Sequence, residues 1–245
     1  MKLLISMMYH HVLSDRCSND LEMLDKHLHY ISNNFISLFP TEDKIPKNSI
    51  CLVFDDGYYD FYKYIYPFLQ KYKIKALLAV VPRYILDTCE FDDTARLNYE
   101  HNELFNQYKQ GTFCTYSELK EMQESGLVQI ASHSYSHQNL LAENVDLETE
   151  LKKSKLVLEE KLAVKVESFV FPFGKYNQNI LDETLKYYKY AFRIGNAINK
   201  DFKGISGVIY RIDGDFLHSE NDIFSFKNML KFRFKAFIKS VVGNS

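Results

Sequence analysis

The chain has 245 residues, of which 46% are hydrophobic, and this combination suits one enzyme-sized domain with a large core. Its formal net charge of −2 argues against a general affinity for nucleic acid, so no nucleic-acid partner is predicted. The four cysteines have neither CxxC nor zinc-finger spacing, so the sequence indicates neither a disulfide framework nor a thiolate metal site.

Short apolar runs alternate along the chain with segments whose apolar residues have helical spacing. The predicted strands are residues 3–8, 50–54, 76–81, 128–131, 169–171, 190–194 and 208–210. The predicted helices are residues 20–34, 60–72, 116–125, 147–162 and 178–188. This alternation predicts an α/β fold in which helices surround a parallel sheet, and about seven strands favour a closed or nearly closed (β/α) barrel.

The amino-terminal apolar stretch is read as a strand, because it is too short for a secretion signal and lacks a small-residue cleavage site. No stretch of the sequence approaches the ~18 apolar residues of a membrane-spanning helix. These two features predict a cytoplasmic location.

Two adjacent carboxylates follow the predicted strand 50–54. Asp55 and Asp56 precede Gly57, a residue that can turn sharply where the strand stops. At such a turn two neighbouring side chains can face one cavity, so that one binds a cation while the other acts on a nearby water. An isolated Asp-Asp-Gly sequence is more often a solvated turn.

Two histidines follow the predicted strand 128–131. His133 and His137 are four positions apart, which places both imidazoles on one face of a helical turn or of a tight loop. Such a pair also occurs without a metal. Both segments follow apolar strands, and two histidines with one carboxylate are the ligand set of a catalytic zinc with an open position, so the combination predicts a metal site.

The stretch 87–112 is polar, longer than an ordinary connection, and placed between a predicted strand and a predicted helix. It is either a loop that covers a substrate or a simple insertion.

Four segments resemble a known family when they are taken together. LVFDDGYYD, SHSYSH, FVFPFGKYN and YRIDGD occur in this order, and they resemble the polysaccharide deacetylases of the NodB homology type, carbohydrate esterase family four, over residues 9–230. The resemblance implies a single-domain, distorted barrel of about seven parallel strands and a divalent metal, usually Zn²⁺. It also implies removal of the acetyl group from N-acetyl sugars.

The resemblance assigns roles to individual positions. Asp56, His133 and His137 match the metal ligands, and Asp55 matches the catalytic base. Phe173 matches the position whose backbone amide helps to hold the oxyanion.

The chain departs from the family pattern at two roles. Many members carry an arginine in the third motif that orients the base, and here Arg211 is the substitute candidate, although it could instead form a structural ion pair. The proton for the leaving amine is assigned to His218, the nearest histidine to the carboxyl end of the domain, or to His10 at the end of the first strand. His10 could alternatively be a buried structural histidine, and Asp55 could return its own proton.

The carboxyl-terminal segment differs in character from the rest. Residues 1–222 are assigned to the deacetylase barrel and residues 223–245 to a basic amphipathic helix or tail, which is part of the same domain or appended to it. Lysines recur there at every fourth position, with apolar residues on another face of the same helix. The helix either packs on the barrel and frays at its end, or makes a peripheral contact with the inner face of a membrane.

These observations predict a metal-dependent hydrolase that removes an N-acetyl group from an amino sugar, with an N-acetylated sugar as its partner and Zn²⁺ as the first candidate cofactor. A cytoplasmic location favours a lipid- or nucleotide-linked precursor of a surface glycan such as O-antigen or capsule. Two alternatives remain: a deformylase of a lipid-linked formamido sugar, and a non-catalytic glycan-binding protein with the same fold.

Overall fold

Seven parallel strands form a closed barrel in the computed structural model, which describes residues 3–42 and 44–242. The strands are β1 (Leu4–Tyr9), β2 (Ser49–Phe54), β3 (Ala76–Val80), β4 (Val128–Ser132), β5 (Ser168–Val170), β6 (Tyr190–Ile194) and β7 (Ile209–Asp213). Each strand pairs with the next in sequence, and β1 pairs with both β2 and β7, which closes the ring. The predicted (β/α) barrel is confirmed.

Helices follow most strands and cover the outside of the barrel. They are α1 (Leu21–Asn34), α2 (Tyr66–Tyr72), α3 (Asp93–Leu97), α4 (Tyr116–Glu124), α5 (Ser154–Leu162), α6 (Gln178–Tyr187) and α7 (Phe226–Val242). π-Helical segments at Phe61–Ile65 and Glu148–Lys153 precede α2 and α5. Thr115 caps the amino end of helix α4, because its side chain accepts a hydrogen bond from the N–H of Glu118 in a capping box.

Short elements complete the chain. Two-residue strands lie at His11–Val12, Ser18–Asn19 and Ile36–Ser37. The last of these pairs with the first two residues of β2. Single 3₁₀ turns lie at Pro82–Tyr84, His101–Glu103, Tyr108–Gln110, Pro172–Gly174 and Asp222–Phe224. Within the residues that the structure describes, no helix is both long and apolar enough to cross a membrane.

The barrel core has two layers that follow the alternation of side chains along each strand. In β2, Ile50, Leu52 and Phe54 belong to the layer that packs against the helices, whereas Cys51 and Val53 belong to a separate cluster inside the barrel. Continuing this alternation by one step directs the next inward side chain, Asp55, into the end of the barrel.

The segment 87–112 is anchored to the barrel. Arg96 is buried in it and donates to the carbonyl oxygen of Gly111 at 2.8 Å and to Glu118 of α4 at 2.6 and 2.9 Å. Its guanidinium carbon also lies 3.3 Å from the centre of the Tyr59 ring. These contacts hold the segment at the end of the barrel where β2 and β4 stop.

Helix α7 falls inside the predicted carboxyl-terminal segment 223–245, of which residues 243–245 lie outside the described residues, as do residues 1–2 of the predicted barrel segment and residue 43. The boundary between 222 and 223 stays a prediction.

A buried histidine joins α1 to the barrel and makes stability depend on pH. His27 Nδ1 donates to the carbonyl oxygen of Glu220 at 2.7 Å, and Tyr9 donates to His27 Nε2 at 2.8 Å. Burial lowers the pKa of His27 from 6.5 to about 4. The unfolded chain therefore binds more protons than the folded chain between these two pH values.

We expect the free energy of unfolding of the wild type to fall by up to about 3 kcal/mol from this group as the pH falls from neutrality to about 4. His27→Gln keeps a donor and an acceptor but does not titrate, so its unfolding free energy should depend less on pH, as measured by urea denaturation. His29→Gln, at an exposed position of the same helix, is the control and should keep the wild-type slope. If the unfolding free energy of His27→Gln depended on pH as steeply as that of the wild type, His27 would not be the source of this pH dependence.

Candidate metal centre

The three predicted metal ligands lie together at the carboxyl ends of β2 and β4. Asp56 Oδ1 lies 3.5 Å from His133 Nε2 and 3.2 Å from His137 Nε2. The ligand atoms of the three residues are all within 4.8 Å of one another, with Asp56 and His133 buried and His137 partly buried. A single cation could therefore contact all three side chains.

The backbone around these ligands is held in uncommon conformations. Asp56, Ser134 and His137 have φ values of 71°, 63° and 57°, in the left-handed region that non-glycine residues rarely adopt. The buried carboxylate of Glu150 accepts from the N–H and hydroxyl of Ser136 at 3.0 and 2.5 Å, and His137 donates its N–H to Ser134 Oγ at 3.0 Å. The histidines are thus presented by a tight loop, not by a helical turn.

The hydrogen bonds of these ligands occupy atoms other than the three that lie close together. His133 Nδ1 lies 2.8 Å from the carbonyl oxygen of Val170, which can only accept, so Nδ1 donates this hydrogen bond and Nε2 is the nitrogen on the side of Asp56. Asp56 Oδ1 is buried and has no hydrogen-bond partner among the described residues. Burial lowers the pKa of His137 to about 4, so its imidazole is neutral at neutral pH. This donor set fits a divalent cation such as zinc.

Asp55 is held by the arginine that the sequence offered as a substitute. Arg211 comes from β7 and donates to both oxygens of Asp55, with Nη1 2.5 Å from Oδ1 and Nη2 2.9 Å from Oδ2. Both side chains are buried. Burial by itself raises the pKa of Asp55, but the charge of Arg211 outweighs it and lowers that pKa below its usual value. The paired carboxylate is therefore ionised and fixed in orientation.

His10 lies at the cavity and is paired with an acid that the sequence motifs did not single out. Its Nε2 is 3.8 Å from Asp55 Oδ2, and its Nδ1 is 2.7 Å from Asp215 Oδ2. The backbone N–H of His10 also donates to Asp215 Oδ1 at 3.1 Å. Burial lowers the pKa of His10, but the hydrogen bond and charge of Asp215 outweigh it and raise that pKa to about 9. His10 is therefore protonated at neutral pH.

The three candidate ligands line one open cavity of about 450 Å³. Phe105 and Phe173 flank His137, with ring centroids 5.0 and 4.7 Å from its imidazole. Asp55, Arg211 and His10 form another part of the wall. The cavity thus combines a candidate cation site, a fixed carboxylate and a protonated histidine with an apolar rim.

A family model described as polysaccharide deacetylase matches residues 42–191, which is more than half of the chain. The chain belongs to the polysaccharide deacetylase family. The match begins just before β2 and ends in β6, so it contains Asp55, Asp56 and both histidine ligands.

Named relatives of the chain are similar to it over part of their length. It is 29% identical to the Bacillus subtilis protein YxkH, named as a polysaccharide deacetylase, over 152 residues that make up 61% of this chain and 44% of YxkH. It is 24% identical to the poly-beta-1,6-N-acetyl-D-glucosamine N-deacetylase of Staphylococcus aureus over 166 residues, which are 64% of this chain and 51% of that protein. The chain therefore spans about half the length of these two relatives.

A solved structure shows the same fold. The Streptococcus pyogenes deacetylase PplD, in complex with acetate, superposes with a TM-score of 0.71 at 23% identity and covers 94% of this chain and 97% of its own. This likeness supports the barrel architecture described above.

The remaining predicted site residues are placed differently. Phe173 has a φ of 57° and a side chain that is 59% exposed at the cavity rim, and the role of its backbone amide stays a prediction. His218 is exposed in the loop between β7 and α7 and is not among the residues of the described chain that line the cavity. His218 is thus separate from the residues that the structure brings together at the cavity, and its role as the acid stays a prediction.

The segment 87–112 contributes residues that the sequence motifs did not indicate. His101, Asn102 and Phe105 line the cavity, so the segment forms one of its walls. Asp215 could have been found from the YRIDGD motif, since it lies two residues beyond β7, the barrel neighbour of β1 and His10. The aromatic and polar residues of 87–112 have no comparable signal.

The buried pair of Arg211 and Asp55 should be important for stability as well as orientation. We expect Arg211→Met to lower the free energy of unfolding by about 3 kcal/mol, because it leaves a buried carboxylate without a partner. Arg211→Lys should have a smaller effect, since it keeps the charge but not the two-pronged geometry. The control, Lys26→Met, breaks an exposed ion pair with Glu22 and should change the urea-unfolding free energy by less than about 1 kcal/mol. Equal effects of Arg211→Met and Lys26→Met would show that the buried pair has no special role in stability.

Proposed function

We propose that this polysaccharide deacetylase is a metal-dependent hydrolase that removes the acetyl group from an N-acetylated amino sugar. The observation that carries the proposal is the convergence of Asp56, His133 and His137 beside the fixed carboxylate of Asp55 in one open cavity. Asp56, His133 and His137 would hold the cation. When bound there, a divalent metal such as zinc supplies Lewis acidity, lowering the pKa of water toward about 7 and polarising the carbonyl oxygen.

Asp55 would act as the general base. Its carboxylate is ionised because Arg211 donates to both of its oxygens. Asp55 also lines the same cavity as the three ligands. It would accept the proton of the attacking water, and the rigid pair with Arg211 would keep it in position for that transfer.

His10 would act as the general acid. The leaving amine of an amide needs a proton, and His10 is protonated at neutral pH with its Nε2 on the cavity side, 3.8 Å from Asp55. Asp215 binds the opposite ring nitrogen and would keep the ring oriented. The N–H of Phe173 would donate to the developing oxyanion, a contact whose removal costs about 10²-fold or more in other enzymes.

The substrate class is argued from the relatives. The Staphylococcus aureus relative is named for poly-beta-1,6-N-acetyl-D-glucosamine, so an oligosaccharide of β-1,6-linked N-acetylglucosamine is the first substrate to test. A lipid- or nucleotide-linked precursor in O-antigen or capsule synthesis is the narrower hypothesis from the sequence. Release of formate instead of acetate would identify the deformylase alternative. Retention of the base and of all three ligands argues against a non-catalytic glycan-binding protein.

Two variants separate metal binding from catalysis. His137→Ala removes a ligand, so we expect purified protein to lose most of its bound metal and its deacetylase activity. Asp55→Asn keeps the three ligands, so it should retain the wild-type metal content of about one ion per chain and still lose hydrolysis. Metal content is measured by mass spectrometry of the protein, and hydrolysis by acetate release. Activity that survives in Asp55→Asn would show that Asp55 is not the base.

The pH profile tests the acid. A general acid must be protonated, so kcat/KM should fall as the pH rises through the pKa of His10, near 9 in the wild type. Asp215→Asn removes the group that raises this pKa, so the high-pH limb should move to lower pH by about 1–2 units. His218→Gln is the matched control and should leave the limb in place. A shift in His218→Gln with none in Asp215→Asn would reverse the assignment.

A further inference from the structure

Helix α7 (Phe226–Val242) has two apolar faces, and one of them packs on the barrel. Phe232 is only 7% exposed, and Met229 and Ala236 pack against the same core. Lys239 lies beside this face, with its ammonium 4.3 Å from the centre of the Tyr210 ring. These contacts fix which side of the helix faces inward.

The opposite face is apolar and exposed. At about 100° per residue, its six large apolar side chains all lie within about 60° of the direction opposite Phe232. They are between 42% and 81% exposed, and they are Phe226, Leu230, Phe234, Phe237, Ile238 and Val241. A helix whose function was only to cover the barrel would be expected to carry polar residues on this outward face.

Cations border the outward face on both sides. Lys227 and Lys231 follow one edge, and Arg233 lies on the other. Residues 223–245 contain no aspartate or glutamate, so no acid in this part of the sequence balances the charge. An apolar helix face bordered by cations is the pattern of a helix that lies in the interface of an anionic bilayer.

An apolar groove extends this surface toward the amino end of the barrel. The groove has a volume of about 500 Å³ and lies between α7 and the segment 198–206, away from the catalytic cavity. Leu3, Ile198, Ile205 and Ala236 line it together with Phe237, which also belongs to the outward face. The apolar area available to a partner is therefore larger than the helix face itself.

Charge decides between a lipid surface and a second copy of the chain. Two copies that met through this face would bring their lysines and arginines together without an acid from residues 223–245 between them. An anionic lipid surface supplies the opposite charge along the whole face. We propose that the outward face of α7 binds the surface of an anionic bilayer and holds the enzyme there.

The full chain is mixed with vesicles of phosphatidylcholine, with or without phosphatidylglycerol, and sedimented. We expect binding to the anionic vesicles only, with a bound fraction that falls as salt is added. Phe234→Glu places a charge at the centre of the outward face and should weaken binding by about tenfold or more. Lys227→Glu combined with Lys231→Glu should have a comparable effect.

The control is Leu156→Glu, since Leu156 is 55% exposed on α5 and Phe234 is 64% exposed on α7. Leu156→Glu should bind like the wild type, and thermal unfolding checks that all variants are folded. Equal binding to neutral and anionic vesicles, or equal effects of Phe234→Glu and Leu156→Glu, would overturn the proposal. A dimer in sedimentation velocity that Phe234→Glu dissociates, without vesicle binding, would overturn it in favour of a second copy.

Discussion

The arrangement of the site depends on one buried carboxylate oxygen, Asp56 Oδ1, which has no hydrogen bond among the described residues. Leaving an ionised oxygen in this state is costly, because water is removed and nothing donates in its place. Three residues near it adopt left-handed backbone conformations, and a buried glutamate secures the loop that carries the histidines. These unfavourable features are explained if together they create a point of negative potential that a cation neutralises.

The two adjacent aspartates are directed to different tasks by the end of a single strand. Asp55 continues the inward alternation of Cys51 and Val53, so it meets Arg211, which enters the barrel from β7. Asp56 comes one residue later, and its left-handed backbone turns it toward the histidine loop after β4. Gly57 then leaves close to the neighbouring strand, where a Cβ would approach Val80 Cγ1 to 2.7 Å. The short DDG sequence therefore directs two adjacent carboxylates to different partners, Asp55 to Arg211 and Asp56 to the histidine pair.

The sequence predicted the features that depend on local pattern. Seven apolar runs marked the barrel strands, and the acids and histidines that follow two of them were expected at the same edge because parallel strands end there. The pairing of His10 with Asp215 needs more than local pattern, since the two residues are 205 positions apart and meet only because the ring closes between β1 and β7. The position of His218 outside the cavity lining could not be predicted either, because nearness in sequence says little about the direction of a loop. The cavity wall from 87–112 depends on the anchoring of Arg96, which no periodic pattern announces.

Closure of the ring by β1 and β7 completes the site late in synthesis. Asp55 has no pair until Arg211, which lies 156 positions downstream, has been made, and His10 likewise depends on Asp215. During synthesis Asp56, His133 and His137 leave the ribosome before the strand that neutralises Asp55. The nascent chain thus carries an unmatched carboxylate and an open barrel edge until its last strand arrives, and these make late closure the step at which a chaperone or misfolding would compete.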